Sequence, residues 1–178
     1  MTGKDDKARF ASVVMPHLAD AYSLARWITG NRTDAEDVVQ DACLRAFRAI
    51  AGFAGGSSRA WTLTIVRNTA YTWLSRNRAM RMVPIDDLDA LDEALSSQTA
   101  NLDQASTPET DLIAKADTEQ LQAAIAALPA PFRETLVLRD VQGLDYREIA
   151  EVTGVPIGTV MSRLARARRR LVKTIGAD

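Results

Sequence analysis

The sequence has 178 residues, of which 47% are hydrophobic and 25% are charged. These proportions are typical of a soluble protein with one ordinary domain or two small ones. The single cysteine, Cys43, excludes an internal disulfide, and no apolar run approaches the roughly 20 residues of a membrane span. With no apolar signal-peptide core near the start, the sequence predicts a protein of the reducing cytoplasm.

Apolar residues at helical spacing predict three helices before residue 83. The first helix contains Phe10 and ends at the turn formed by Gly30 and Asn31. The second is predicted to begin at Thr33, because Glu36 stands three residues later and completes a capping box. Its expected apolar stripe is Val38, Val39, Ala42, Ala46, Phe47 and Ile50.

A glycine-rich loop, residues 52–58, separates the second helix from a third one over residues 59–78. One side of this third helix carries basic, amide and aromatic side chains: Arg67, Asn68, Tyr71, Ser75 and Arg78. Such a mixture suits single-stranded DNA, because arginines pair with phosphates and unstacked bases stack on rings. Trp61 and Trp73 fit either this surface or the core, and Trp61 fits the core better.

The charge is unevenly distributed along the chain, although the net charge is −1. Residues 1–82 carry 12 Lys and Arg against 7 Asp and Glu, and residues 118–178 carry 9 against 7. Residues 83–117 carry 1 against 9. This acidic block includes a polar, aperiodic stretch, predicted to be a linker over residues 83–110 with a short helical turn near Leu88 to Leu95. Its acidity fits either a solvated loop or a segment that keeps the basic blocks off non-specific DNA.

Four helices are predicted after the linker, and no segment shows the alternation of a strand. The first follows the N-cap sequence Thr107-Pro108-Glu109 and is predicted to bury Leu112, Ile113, Leu121, Ala124, Ile125 and Leu128. Pro129 and Pro131 end it and begin a short helix that stops at Gly143. The last two helices are predicted over residues 145–153 and 156–175. The fold class is therefore all-α, with two small helical bundles joined by an acidic linker.

Residues 146–171, YREIAEVTGVPIGTVMSRLARARRRL, have the pattern of a DNA-binding helix-turn-helix. Gly154 permits the turn, Val155 fills the corner, and Val160 and Leu164 face inward. In such a motif the second helix enters the major groove with its N-terminal residues on base edges. The candidate duplex-binding residues are Thr159, Met161, Ser162, Arg163, Arg166 and Arg169. For the last arginines, a solvated basic helix end that complements the helix dipole is an equal alternative.

Residues 128–171 closely resemble the C-terminal promoter-recognition domain of extracytoplasmic-function sigma factors. The shared elements include Leu128-Pro129, Arg133-Glu134, Glu148-Ile149-Ala150, Gly158-Thr159-Val160 and Ser162-Arg163-Leu164. Asp145 stands where serine is usual. Met161 stands where lysine is common, and this second departure is expected to alter promoter preference without changing the fold. Residues 34–50 resemble the family's polymerase-binding helix, and residues 60–78 resemble its minus-ten recognition helix.

The resemblance implies a region 2 domain over residues 1–82 and a region 4 domain over residues 111–178, which recognise the minus-ten and minus-35 elements respectively. It implies that one face of the second helix binds core RNA polymerase: Asp37, Gln40, Asp41, Leu44 and Arg48. It further implies that the loop before the third helix holds a flipped base, so that the single-strand site comprises Phe53, Gly55, Ser58, Arg67, Asn68, Tyr71 and Arg78. A solvated helix face is the alternative for the charged residues of the polymerase site, but it explains Leu44 poorly.

The implied function is an alternative sigma factor for a stress or envelope response, monomeric when free and restrained by an anti-sigma factor. We expect it in the cytoplasm, associated with the nucleoid when bound to polymerase and without membrane insertion. Two alternatives are a helix-turn-helix regulator with an unrelated N-terminal domain and a sigma-like decoy that sequesters an anti-sigma protein. An enzyme is disfavoured, because the sequence offers no nucleophile–base pair, phosphate loop, metal site or cofactor site. His17 is expected to be a packed or surface residue.

Overall fold

The structure, a computed structural model, describes residues 3–80 and 110–176, without the side chains of residues 78–80 and 110–117. Within these ranges the fold is all-α, as predicted, and contains no strand. The N-terminal bundle consists of α1 (Gly3–Val13), α2 (Leu18–Thr29), α3 (Arg32–Ala49) and α4 (Ser58–Met80). The C-terminal bundle consists of α5 (Thr110–Ala126), α6 (Ala130–Leu136), α7 (Tyr146–Thr153) and α8 (Ile157–Ile175). The predicted linker, its helical turn and the predicted N-cap at residues 107–109 lie outside the described residues, apart from Thr110.

The prediction of one helix from Phe10 to the turn at Gly30 was wrong, because the chain forms α1 and α2 with a 3-10 turn, Met15–His17, between them. Pro16 lies in this turn. A proline has no backbone N–H and its ring clashes with the preceding helical turn, so a continuous α-helix is disfavoured there. The apolar residues stay in register across the break, which is why their spacing did not reveal it.

The start of α3 also differs from the prediction, because Asn31 and not Thr33 is its N-cap. The Asn31 Oδ1 accepts a hydrogen bond of 2.8 Å from the backbone N–H of Asp34. Glu36, which was expected to complete the capping box, instead pairs with Arg32 at 3.0 Å. Of the predicted stripe, Phe47 is exposed and packs edge-on against Phe10, with 5.6 Å between ring centroids.

We expect Asn31→Ala to lower the free energy of unfolding by about 1 kcal/mol, because the substitution leaves a backbone donor of α3 without its cap. Thr33→Ala is the matched control, since Thr33 is exposed and lies inside the first turn. Thermal unfolding followed by circular dichroism measures both variants. A larger loss of stability in Thr33→Ala than in Asn31→Ala would show that the cap is wrongly placed.

The C-terminal bundle follows the predicted order of helices closely. Leu128, just after the end of α5, is buried, whereas Leu121, expected inside, is exposed. Helix α6 begins after Pro129 and continues into a π-helical turn, Val137–Val141. The chain then turns at Gly143, whose φ of 73° is the left-handed conformation that glycine adopts without strain.

The helix-turn-helix consists of α7 and α8, joined by a turn at Gly154 with φ of 69°. Asp145 caps α7 in a reciprocal capping box with Glu148. Val160 and Leu164 are fully or nearly fully buried, as predicted. Pro156, predicted as the first residue of α8, is instead its N-cap.

The two bundles pack against each other through one shared apolar cluster. Leu24 of α2 and Leu63 and Val66 of α4 join Leu144 and Ile149 of the C-terminal bundle in this cluster. Trp27 of α2 packs against a second cluster built from α5, α6 and α8. The contact brings α4, the predicted single-strand helix, against the helix-turn-helix.

Candidate nucleic-acid interface

The recognition helix α8 buries one face and presents the other to solvent. Val160, Leu164, Ala167 and Leu171 are buried and recur every three or four residues. The predicted duplex-binding residues occupy the remaining positions: Met161, Ser162, Arg166 and Arg169 are exposed, and Thr159 and Arg163 are half-buried. Ser162 Oγ donates a hydrogen bond of 3.0 Å to the carbonyl of Thr159. The helix therefore presents a cationic face of the kind that phosphates and base edges accept.

The arginines of α8 differ in how far they are engaged within the protein. Arg168 forms a two-point ion pair with Asp140, at 2.6 and 3.0 Å. The guanidinium of Arg170 lies 5.0 Å from the ring centroid of Phe132. None of the ion pairs recorded among the described residues involves Arg166 or Arg169. These two exposed arginines can therefore meet a phosphate without first breaking an ion pair.

The loop before α4 places the predicted base-binding residues around two glycines. Gly55 and Gly56 have φ of 104° and 90°, conformations that a side chain would strain. Phe53 packs on Trp61 with 5.2 Å between ring centroids, and its carbonyl accepts a hydrogen bond from Arg9. Trp61 is half-buried and packs against the apolar cluster that supports the loop.

Ser58 starts α4, and its hydroxyl lies 2.9 Å from Nε2 of His17. His17 is half-buried by this contact. The histidine is thereby a packed residue, as expected, and it fixes the start of α4 beside the glycine-rich loop.

On α4 the predicted DNA-contacting residues are not all free to meet a strand. Asn68 is exposed, and the guanidinium of Arg67 lies 4.9 Å from the ring centroid of Tyr71. The same guanidinium forms a two-point ion pair with Glu134 of α6, whose second contact, from Nη2 to Oε2, is 3.2 Å. The side chain of Arg78 lies outside the described residues. In this conformation the C-terminal bundle therefore occupies part of the predicted single-strand face.

Glu134 lies at the centre of the contact between the bundles and is nearly fully buried, with 2% of its side chain exposed. Burial raises the pKa of its carboxyl group, while the charges of Arg67, Arg163 and Arg133 act in the opposite direction. Arg67 stays cationic, because the hydrogen bond and charge of Glu134 outweigh its own desolvation and raise its pKa. The carboxylate of Glu134 is thus ion-paired with a predicted single-strand residue, Arg67, across the contact between the bundles.

Further polar contacts join the bundles around this pair. The Gln142 Nε2 donates to the carbonyl of Asp20 at 2.9 Å, and Arg59 donates to the carbonyl of Gln142 at 2.5 Å. Within the N-terminal bundle, Arg59 also pairs with Asp20 at 2.7 Å. The hydroxyl of Ser57 donates to a carboxylate oxygen of Glu148 at 2.8 Å. The sequence did not indicate the contacts between the bundles or Glu134, because the partners in these contacts are 67 to 122 positions apart and follow no local pattern.

The predicted polymerase face lies on the solvent side of α3. Asp37, Gln40 and Arg48 are exposed, and Asp41 pairs with Arg45 at 2.9 Å. Leu44 is 58% exposed in the midst of these charges. Exposed Phe47, expected in the core, stands one turn further on and enlarges the apolar part of this face.

Among the described residues, no three His, Cys, Asp or Glu side chains come together as a possible metal site. Within residues 3–80 and 110–176, no helix has both the length and the apolar character needed to cross a bilayer. Cys43 is a free, half-buried thiol on α3, and burial raises its pKa.

Both bundles match known families. Residues 13–80 match sigma-70 region 2, and residues 118–171 match sigma-70 region 4. The sigma-E factor of RNA polymerase from Escherichia coli K12 is 32% identical over 170 residues, which cover 94% of this chain and 87% of the relative. The sigma factor SigE from Mycolicibacterium smegmatis is 35% identical over 159 residues, which cover 89% of this chain but only 58% of the relative.

Two solved structures share the fold. The sigma factor RpoE from Bartonella quintana, crystallised with the anti-sigma factor NepR, superposes with a TM-score of 0.69 at 27% identity and covers 98% of this chain and 99% of its own. CnrH, solved in complex with the cytosolic domain of CnrY, superposes with a TM-score of 0.64 at 23% identity and covers 95% of this chain and 88% of its own. The second similarity concerns the fold alone.

Proposed function

The chain belongs to the extracytoplasmic-function sigma factors of RNA polymerase, and on that premise we propose that it binds core polymerase and directs it to specific promoters. The observation that carries this proposal is the order of two family matches in one chain, region 2 followed by region 4. A regulator with an unrelated N-terminal domain would match region 4 alone, so this alternative is disfavoured. We assign region 2 to residues 1–82, the linker to residues 83–110 and region 4 to residues 111–178.

The exposed face of α3 supports the polymerase-binding role. A leucine exposed among charged residues is the arrangement of an interface anchor, in which the apolar side chain becomes buried and the charges set orientation and association rate. We therefore assign Leu44 as the anchor, and its charged and polar neighbours as the contacts around it: Asp37, Gln40, Asp41 and Arg48.

The promoter contacts are divided between the bundles. Exposed cations on α8 support duplex binding at the minus-35 element, through Thr159, Met161, Ser162, Arg163, Arg166 and Arg169. The loop and α4 would hold the melted minus-ten strand, with Gly55 allowing backbone to approach a flipped base and Tyr71 offering a ring for stacking. The other proposed strand contacts are Phe53, Ser58, Arg67, Asn68 and Arg78. Binding energy rather than nucleotide hydrolysis would open the duplex, so the protein acts as an initiation factor and not as an enzyme.

We further propose that an anti-sigma factor restrains the protein until a stress or envelope signal releases it. The structural relative from Bartonella, which matches over 98% of the chain, was solved with such a partner and supports this proposal. The factor would work in the cytoplasm as a monomer when free, and at the nucleoid when bound to polymerase.

Transcription in vitro tests the assignment. Core polymerase is incubated with genomic DNA fragments with or without the protein, and the 5′ ends of the RNA are sequenced. We expect a small set of start sites that appears only when the protein is added. A regulator would give these starts only with another sigma factor present. A decoy would give none, and either result would overturn the assignment.

A further inference from the structure

The base-binding loop, defined as residues 53–58, has an exposed tip and two half-buried ends. Gly55 and Gly56 at the tip are exposed, and a Cβ atom added at either one would meet no other atom within 4 Å. The tip therefore has open space where a side chain would stand. Phe53 and Ser58, at the two ends, are half-buried. Contacts at these ends consequently determine how the loop is presented to a DNA strand.

The N-terminal segment of the chain contacts both ends of the base-binding loop. The guanidinium of Arg9, on α1, donates a hydrogen bond to the carbonyl of Phe53. His17 is the last residue of the 3-10 turn after α1, and its Nε2 lies 2.9 Å from the hydroxyl of Ser58. The partners are 44 and 41 positions apart in the sequence. Both contacts lie within the N-terminal bundle and do not involve the C-terminal one.

Apolar packing fixes the first end of the loop from the other side. Phe53 and Trp61 pack against a buried cluster that includes Val13 and Val14 at the end of α1. Phe53 is thus held through its ring by this cluster and through its carbonyl by Arg9. A loop that is already ordered loses less conformational entropy when it binds a ligand than a loose one does.

We propose that Arg9 and His17 are positioning residues for promoter opening, which hold the base-binding loop in the conformation that receives the flipped base without contacting DNA themselves. His17 acts through Ser58, a proposed strand contact, and Arg9 acts through the backbone of Phe53. The two residues play the part of the supporting contacts that keep the residues of a binding site in their productive geometry. The proposal rests on the single-strand role assigned to the loop.

The test uses holoenzyme reconstituted from core polymerase and full-length Arg9→Ala or His17→Phe. The probe is a fork template of a promoter found by start-site sequencing, with the non-template strand unpaired across the minus-ten element. A series of the same template carries one abasic site at each unpaired position, and fluorescence anisotropy gives the affinities. We expect each variant to bind the intact template about three- to tenfold more weakly than the wild type.

The abasic series shows whether the loss arises at the flipped base. At one position the variants and the wild type should bind equally, because the loop then has no base to receive, and at the other positions the difference should remain. A loss by the same factor on every template, abasic ones included, would indicate a general defect and overturn the proposal. For Arg9→Ala, a lower salt dependence with no dependence on the abasic position would indicate a direct phosphate contact instead.

Two further variants are matched controls. Lys7→Ala removes the same charge as Arg9→Ala from an exposed position of α1 and should bind like the wild type. A loss in Lys7→Ala equal to that in Arg9→Ala would attribute the effect to net charge. His17→Gln places an amide nitrogen near the position of Nε2 and should restore most of the affinity lost in His17→Phe. Failure of this rescue would remove His17 from the proposal.

The outcome for the loop is kept separate from the outcome for the proposed function. Wild-type holoenzyme that gives no specific start sites would contradict the function itself. Active wild-type holoenzyme with unchanged binding by both Arg9→Ala and His17→Phe would overturn the positioning role alone. If His17→Phe does not fold, as judged by circular dichroism, Arg9→Ala decides, because the side chain of Arg9 is exposed.

Discussion

Leu44→Asp is expected to lower the affinity for core RNA polymerase by about 30-fold or more, which corresponds to about 2 kcal/mol. The side chain is 58% exposed in the free protein, so it contributes little to the fold and is available for a partner. Placing a charge where an apolar anchor becomes buried leaves that charge without solvent or counter-ion. Binding of labelled protein to core enzyme, measured by titration, gives the affinity directly.

Met15→Asp is the comparison for this prediction, because Met15 is also an exposed apolar residue of the N-terminal bundle but lies outside α3. We expect Met15→Asp to keep wild-type affinity for the core enzyme and both variants to keep wild-type helicity. Equal affinity of Leu44→Asp and the wild type would remove α3 from the polymerase interface.

The helix-turn-helix is the part of the fold that the sequence predicted best, because its determinants are local. Gly154 adopts the left-handed conformation of the turn, and buried Val160 and Leu164 stand four residues apart on one face of α8. Each of these features depends on neighbours within one or two helical turns, so the sequence pattern contains it completely.

The first helices were predicted less well, because two physical signals competed. The apolar spacing continues from Phe10 through Val14 to Leu18 without a break, whereas Pro16 interrupts the hydrogen bonding between them. Likewise, Asn31 and Thr33 are both good N-cap residues, and only the backbone conformation at Asn31 decides between them. The loss of backbone hydrogen bonds at proline outweighed the apolar pattern.

The contact between the bundles could not be predicted from the sequence. In the sequence, Glu134 is recognisable only as one residue of a family motif, and no periodic pattern links it to Arg67. The distribution of charge along the sequence shows only that both bundles are rich in arginine. Because like charges repel, close packing of the bundles requires acidic side chains at the contact. Glu134 supplies such an acid by pairing with Arg67 across the contact, and Asp20 pairs with Arg59 beside it within the N-terminal bundle. A local excess of positive charge is therefore compatible with close packing.

The packing of the bundles also determines which candidate DNA-binding residues are accessible. Arg67 is half-buried and ion-paired with Glu134, so we expect it to reach DNA only when this contact opens. Arg163 is half-buried as well. Arg166 and Arg169 are exposed while the bundles are packed together, so a partner can reach them without any change in this packing. A substitution of Arg166 consequently reports on DNA contact more directly than one of Arg67.

Arg166→Ala and Arg163→Ala, each in the reconstituted polymerase holoenzyme, are expected to weaken binding to the cognate promoter duplex by about 5- to 150-fold. An arginine that meets a phosphate or a guanine releases bound counter-ions, so its removal also lowers the salt dependence of binding, by about one unit of slope if the contact is to a phosphate. Filter binding or anisotropy at several salt concentrations measures both quantities.

Arg168→Ala provides the control within the same helix, because it removes the same charge from a side chain already paired with Asp140. We expect this variant to lose less than about threefold in affinity, since the pair must be broken before Arg168 contributes to DNA binding. Transcription from the cognate promoter that is unchanged in both Arg163→Ala and Arg166→Ala would show that α8 is not the recognition helix. A loss in Arg168→Ala as large as that in Arg166→Ala would instead show that the ion pair with Asp140 opens on the promoter.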